Sequence, residues 1–74
     1  MKDVLVTRIP IELYKILKFE GLVTSGGEAK AVIAEGQVLV NGEPETRKSR
    51  KIITGDVIEF SGQAVRILLA TGEV

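Results

Sequence analysis

The sequence predicts an α+β fold in which two short helices pack on a small twisted antiparallel sheet. Three features predict it. Apolar residues between 11 and 20 recur at helical spacing, and a serine-capped segment follows at 25–36. Glycine-containing turns then divide the second half of the chain into short extended runs. At 74 residues the chain is expected to be one domain, 1–74, and a domain of that size hides only about 60% of the surface its unfolded form exposes.

Val4-Leu5-Val6-Thr7 reads as a strand, apolar and partly β-branched. Pro10 suits the first turn of the helix that follows, where its missing N–H costs no hydrogen bond. At about 100° per residue, Leu13, Ile16 and Leu17 share one arc with Tyr14 at its edge. Lys15 and Lys18 share the opposite arc, and Gly21 supplies the left-handed residue that ends such a helix. Ser25-Gly26-Gly27-Glu28 has the form of a capping box. In that box the Ser25 hydroxyl accepts from the Glu28 N–H, and the Glu28 carboxylate reaches back to the Ser25 N–H. The second helix buries Ala29, Val32 and Ile33, turns Lys30 away from them and stops at Gly36. Packing must hold it, since a helix of about nine residues is marginal alone.

Gln37-Val38-Leu39-Val40 runs into Asn41-Gly42, a pair suited to the two positive φ angles of a type I′ hairpin. The return strand starts at Glu43, is blunted by Pro44 and gives way to a basic segment, 46–51. Ile52-Ile53, Val57-Ile58-Glu59-Phe60 and residues 64–69 are further strands, separated by Thr54-Gly55-Asp56 and Ser61-Gly62.

Composition narrows the chemistry. Cys and His both number 0, which removes thiol nucleophiles, Ser-His and Cys-His couples, disulfides and the usual structural zinc. Gly21 and Gly26 have phosphate-loop spacing, but Gly27 and Glu28 stand where such a loop needs Lys and then Ser or Thr. The acids follow no calcium-loop pattern; Glu12, Glu20, Glu35, Glu43 and Glu45 read as solvated or capping residues. A small-molecule pocket would consume much of so small a core. The expectation is no enzyme, no catalytic residue, no metal, no cofactor and no small-molecule substrate. No run approaches the roughly 18 apolar residues of a membrane span, and Asp3 interrupts any secretory signal. A cytoplasmic monomer without a membrane partner is expected.

Net charge hides an asymmetry. Ten basic and ten acidic residues give a formal charge of +0, yet Arg47, Lys48, Arg50 and Lys51 fall within five positions. Without them, six cations face ten acids, so the molecule reads as a basic patch on an acidic body. Local potential governs how a polyanion approaches. A solvated loop that serves only solubility is the plainer alternative.

At this point a family resemblance emerges. The stretch 13–60 resembles the RNA-binding domain named after ribosomal protein S-four, in Ser25, Glu28-Ala29-Lys30, Gly36-Gln37-Val38-Leu39-Val40-Asn41-Gly42 and Gly55-Asp56-Val57-Ile58. The short length and the basic loop are similar to small stand-alone bacterial members. The resemblance implies the two-helix and hairpin module known as the alpha-L motif, and binding to structured, ribosomal RNA. Two departures stand out. Gly26 and Gly27 replace the Arg or Lys that often follows the capping Ser, and Thr54 replaces a Pro before Gly-Asp. The first shifts RNA contact toward backbone N–H groups at the helix start, or simply leaves that start loose.

The expected RNA-binding residues are Lys15, Lys18, Ser25, Gly26, Gly27, Lys30, Arg47, Lys48, Arg50 and Lys51. Their charged side chains should form one cationic face in which Lys acts as a point charge and Arg as a fork. Aromatics make up only 4% of the chain, so stacking should contribute little. Tyr14 and Phe60 read as core; Phe19 is expected to pack on the loop, with stacking on a base as its alternative. Two other functions stay open. One is a protein-binding adaptor using the apolar strand 64–69 as an edge; the other is an accessory module of an RNA-modifying complex.

Overall fold

The first and last strands of the described residues pair with each other at one edge of the main sheet. The structure, a computed structural model, describes residues 1–70. Its elements run β1 (Lys2–Val6), β2 (Ile11–Glu12), α1 (Leu13–Phe19), α2 (Gly26–Ala34), β3 (Leu39–Val40), β4 (Glu43–Pro44), β5 (Lys51–Ile52), β6 (Val57–Phe60) and β7 (Gln63–Leu69). Five strands form one sheet in the order β1-β7-β6-β3-β4, while β2 and β5 pair as a separate two-stranded ribbon.

The α+β class holds, with the sheet mixed. β3, β4, β6 and β7 pair antiparallel, and β1 adds to β7 in parallel, with Val4 opposite Ile67. The parallel pair joins the two ends of the described chain, which no local pattern encodes. It also leaves β7 bonded on both sides. Along the strand expected as a docking edge, 64–69, β1 takes one side from Val65 to Leu69 while β6 and residues 54–56 take the other, so no continuous free edge is left and the adaptor reading through it fails.

Leu13, Ile16 and Leu17 of α1 and Ala29 and Ile33 of α2 meet Val38, Val40, Ile58, Val65 and Ile67 in one core. Truncating a fully buried member such as Leu13 would cost about 2–5 kcal/mol. Tyr14 and Phe60 pack against that core half-buried.

Turn chemistry ties the hairpin to the next turn. Asn41 (φ 54°) and Gly42 (φ 86°) form the two-residue connection between β3 and β4. Asn41 Nδ2 donates to Asp56 Oδ1 at 3.0 Å, and Val57 N–H donates to Asn41 Oδ1 at 2.9 Å. The Asn-Gly and Gly-Asp pairs are thus two halves of one hydrogen-bonded junction.

Two local expectations change. Pro10 lies ahead of β2 and does not open α1, because Ile11 and Glu12 are taken by pairing with Ile52 and Lys51. The helix begins two residues after that pairing starts, at Leu13. Ser25 caps α2 as expected, its Oγ accepting from Glu28 N–H at 3.1 Å. Glu28, however, reaches past Ser25 and accepts from the Thr24 N–H and the Thr24 hydroxyl, both at 2.8 Å. The Thr24 backbone donor, followed by its hydroxyl, holds the Glu28 carboxyl below its usual range.

Candidate nucleic-acid interface

The basic loop is fastened to the first helix through its backbone. No side chain caps α1, so its leading N–H groups need other acceptors. Leu13 N–H donates to the Arg50 carbonyl at 2.9 Å, and Tyr14 N–H donates to the Lys48 carbonyl at 3.2 Å. A further bond from Arg50 N–H to the Arg47 carbonyl closes the loop on itself. Together these bonds hold the cationic side chains of 47–51 over the helix start.

A buried carboxylate fastens the same loop from beneath. Glu45, expected on the surface, is 7% exposed. Its Oε2 accepts from the Arg47 N–H at 2.9 Å and from Arg47 Nε at 3.0 Å. Its Oε1 accepts from Arg47 Nη2 at 3.1 Å and Arg50 Nη1 at 2.6 Å. The Arg47 side chain, with further help from its backbone N–H and from Arg50, holds the Glu45 carboxyl down at about 2 against the opposing effect of burial. A buried acid needs such partners, since one left uncompensated is costly. The spacing of Glu45 two residues before Arg47 is the only sequence signal for this clamp.

Above it lies an open groove of about 770 Å³, lined by Lys30 and Ala34 of α2 and by residues 46–51. Lys30 thus joins Arg47, Lys48, Arg50 and Lys51 around one concavity. Lys30 Nζ also stands 5.0 Å from the centre of the Tyr14 ring, with Lys15 Nζ at 5.9 Å from the same ring. The half-buried tyrosine therefore carries a cation on both helices.

Lys15 belongs to a second groove, of about 470 Å³, alongside Arg8, Phe19 and Lys51. Glu12 sits between two ammonium groups there, 3.2 Å from Lys15 Nζ and 3.6 Å from Lys51 Nζ. The Lys15 hydrogen bond, then the nearby charges of Lys51 and Lys15, lower the Glu12 carboxyl against the opposing effect of desolvation.

The two grooves are lined by seven cations; set against Glu12, which lines the second, and Glu45, which is paired to Arg47 and Arg50, they leave a local excess of five positive charges. The rest of the chain carries three cations and eight acids. Four of the seven cations, Lys15, Arg47, Arg50 and Lys51, are ion-paired. Arg8, Lys30 and Lys48 have no carboxylate partner among the described residues.

Other expected site residues stand apart. Lys18 lies in the last turn of α1 and lines neither groove. Ser25, Gly26 and Gly27 form the start of α2, where the Ser25 hydroxyl is engaged as the cap. A Cβ at Gly26 would meet nothing, and one at Gly27 only Ser25 Oγ at 3.8 Å, so the protein itself does not demand glycine there. Phe19 does not pack on the loop; it is 69% exposed on the second groove. Arg8 went unnoticed in the sequence because it stands alone, far from the basic run. Among the described residues, no group of three potential ligands could hold a metal ion, and no helix is long and apolar enough to cross a membrane.

Comparison with known proteins bears on the fold that carries these grooves. A family model described as S4 domain matches residues 4–68. The Escherichia coli (strain K12) protein YbcJ is 48% identical over 58 residues, covering 78% of this chain and 83% of its own. The Bacillus subtilis (strain 168) protein named "Probable ribosome maturation protein RlbA" is 46% identical over 52 residues, covering 70% and 73%. The solution structure of YbcJ from E. coli, described as revealing an αL motif involved in RNA binding, superposes with a TM-score of 0.70 at 43% identity. It covers 92% of this chain and 87% of that one.

Proposed function

This chain belongs to the S4 domain family, and from that membership we propose that it is a non-catalytic RNA-binding protein that docks a cationic face on structured ribosomal RNA. One observation carries the reading. Cations from two separate segments, Lys30 on α2 and four in the 46–51 loop, line one groove on a body that is otherwise acidic.

Folded RNA suits such a groove. An A-form helix hides its deep groove from side chains and offers phosphates and 2′-hydroxyls across a shallow one. A module with hydrogen-bonded backbone and long cationic side chains recognises that outline with little reordering. Lys30 and Lys48 supply point charges, while Arg47 and Arg50 keep donors beyond those used by Glu45. Lys15 extends the surface past Lys51. Lys18 and the start of α2 at Ser25, Gly26 and Gly27 are included on the resemblance alone. A ribosome-maturation name on one relative supports ribosomal RNA as the target. The protein acts in this proposal as a cytoplasmic monomer.

The test is the salt dependence of binding to a ribosomal RNA fragment. With about five phosphates engaged, log K should fall against log salt with a slope of about −3.5 to −4.5. Binding that ignored salt would contradict the reading.

A further inference from the structure

The second groove combines cations with an exposed aromatic ring. Among the large apolar side chains left exposed in the described residues (Met1, Leu5, Phe19 and Ile53), only Phe19 opens onto a groove lined with cations. Its ring is accompanied by Arg8, which has no carboxylate partner among the described residues, and by Lys15 and Lys51, which share the single acid Glu12. Three positive charges against one negative favour an anionic occupant, and the exposed ring favours a flat one. A volume of about 470 Å³ falls in the range of roughly 300–1,000 Å³ typical of small-ligand sites.

Lys51 lines both grooves. A polyanion lying in the loop groove can therefore continue across Lys51 into the second without leaving positive surface. We propose that this second groove holds an unstacked nucleotide flanking the folded RNA, its base on the Phe19 ring and its adjoining phosphates on Arg8, Lys15 and Lys51. The inference rests on the RNA-binding reading above and adds a single-stranded feature to the target. Base stacking on an aromatic ring tolerates any base, so the preference is for a free strand and not for a sequence. Pro10 and Ile11 complete the apolar wall.

The test uses the full chain and two RNAs: a blunt-ended hairpin, and the same hairpin with a short oligouridine tail. The parent should bind the tailed RNA about tenfold more tightly, as expected for one stacked base. Phe19→Ala should erase that preference and leave blunt-hairpin affinity unchanged; exposure of the ring makes a folding defect unexpected. Phe19→Trp should restore it, and Arg8→Gln should reduce it. If the parent bound the blunt hairpin yet showed no preference for the tail, or if Phe19→Ala kept the preference, this inference would be overturned and the RNA-binding reading would stand. A parent that bound neither RNA would remove both readings.

Discussion

The arginines and the lysines of the basic loop do different work, although they alternate within five residues. Arg47 and Arg50 converge on the buried Glu45 carboxylate: the fork of Arg47 spans both oxygens, and Arg50 adds one donor to Oε1. Lys48 and Lys30 face the groove without a carboxylate among the described residues, and Lys51 shares Glu12 with Lys15. The arginines thus fasten the loop through Glu45 and have only their remaining donors for RNA, while the lysines supply most of the charge in the proposed interface. A run of cations in a sequence is not one functional unit.

The sharpest break between the two classes is expected from opposite readouts. Replacing Lys30, Lys48 and Lys51 together by Gln should lower RNA affinity about 100-fold in moderate salt and flatten the salt slope by roughly 0.7–0.9 per lost contact. The melting temperature should barely move, because none of the three has a buried partner. Equal loss of stability in a thermal melt would erase the distinction.

Arg50→Ala should act the other way. It strips the 2.6 Å bond from a buried carboxylate, which costs about 1–3 kcal/mol in a denaturant titration. A fall in RNA affinity without a fall in stability would put Arg50 with the lysines.

Acid sharpens the same contrast. The Glu45 carboxyl is depressed from 4.5 to about 2, so its stabilisation is fully present above pH 4.5 and is lost as pH falls toward 2. Thermal melts should show that decline in the parent and a shallower one in Glu45→Gln, which cannot titrate. Parallel pH profiles would mean the clamp contributes nothing.

The smallest effect concerns the start of α2. Gly26 has open space and an ordinary helical φ, so Gly26→Ala should raise stability by up to about 1 kcal/mol in a thermal melt. A destabilised variant would show that the bare backbone has a structural role.

These particulars also mark how far sequence reading reaches. The arc of Leu13, Ile16 and Leu17, the Ser25 cap, the Asn41-Gly42 turn and the Gly21 stop were all legible, because each depends on residues within about four positions. What was not legible depends on distant chain segments. β1 pairs with β7 across almost the whole sequence, and β2 with β5 shortens α1 at its start. In the site, the run 47–51 announced itself and Lys30 followed from the family pattern. Glu45 did not, because a surface acid and a buried clamp look alike until the core is assembled. The meeting of Arg8, Phe19 and Lys51 was equally hidden, since it arises only when β2 lies against β5.

Backbone amide shifts, followed by NMR as a ribosomal RNA fragment is added, would map the RNA-binding face residue by residue. Perturbations should gather on 46–51 and around Lys30 and Ala34, spread to Arg8, Lys15 and Phe19, and leave β1 and β7 quiet. Shifts concentrated on β1 and β7, with the loop silent, would contradict the proposed face.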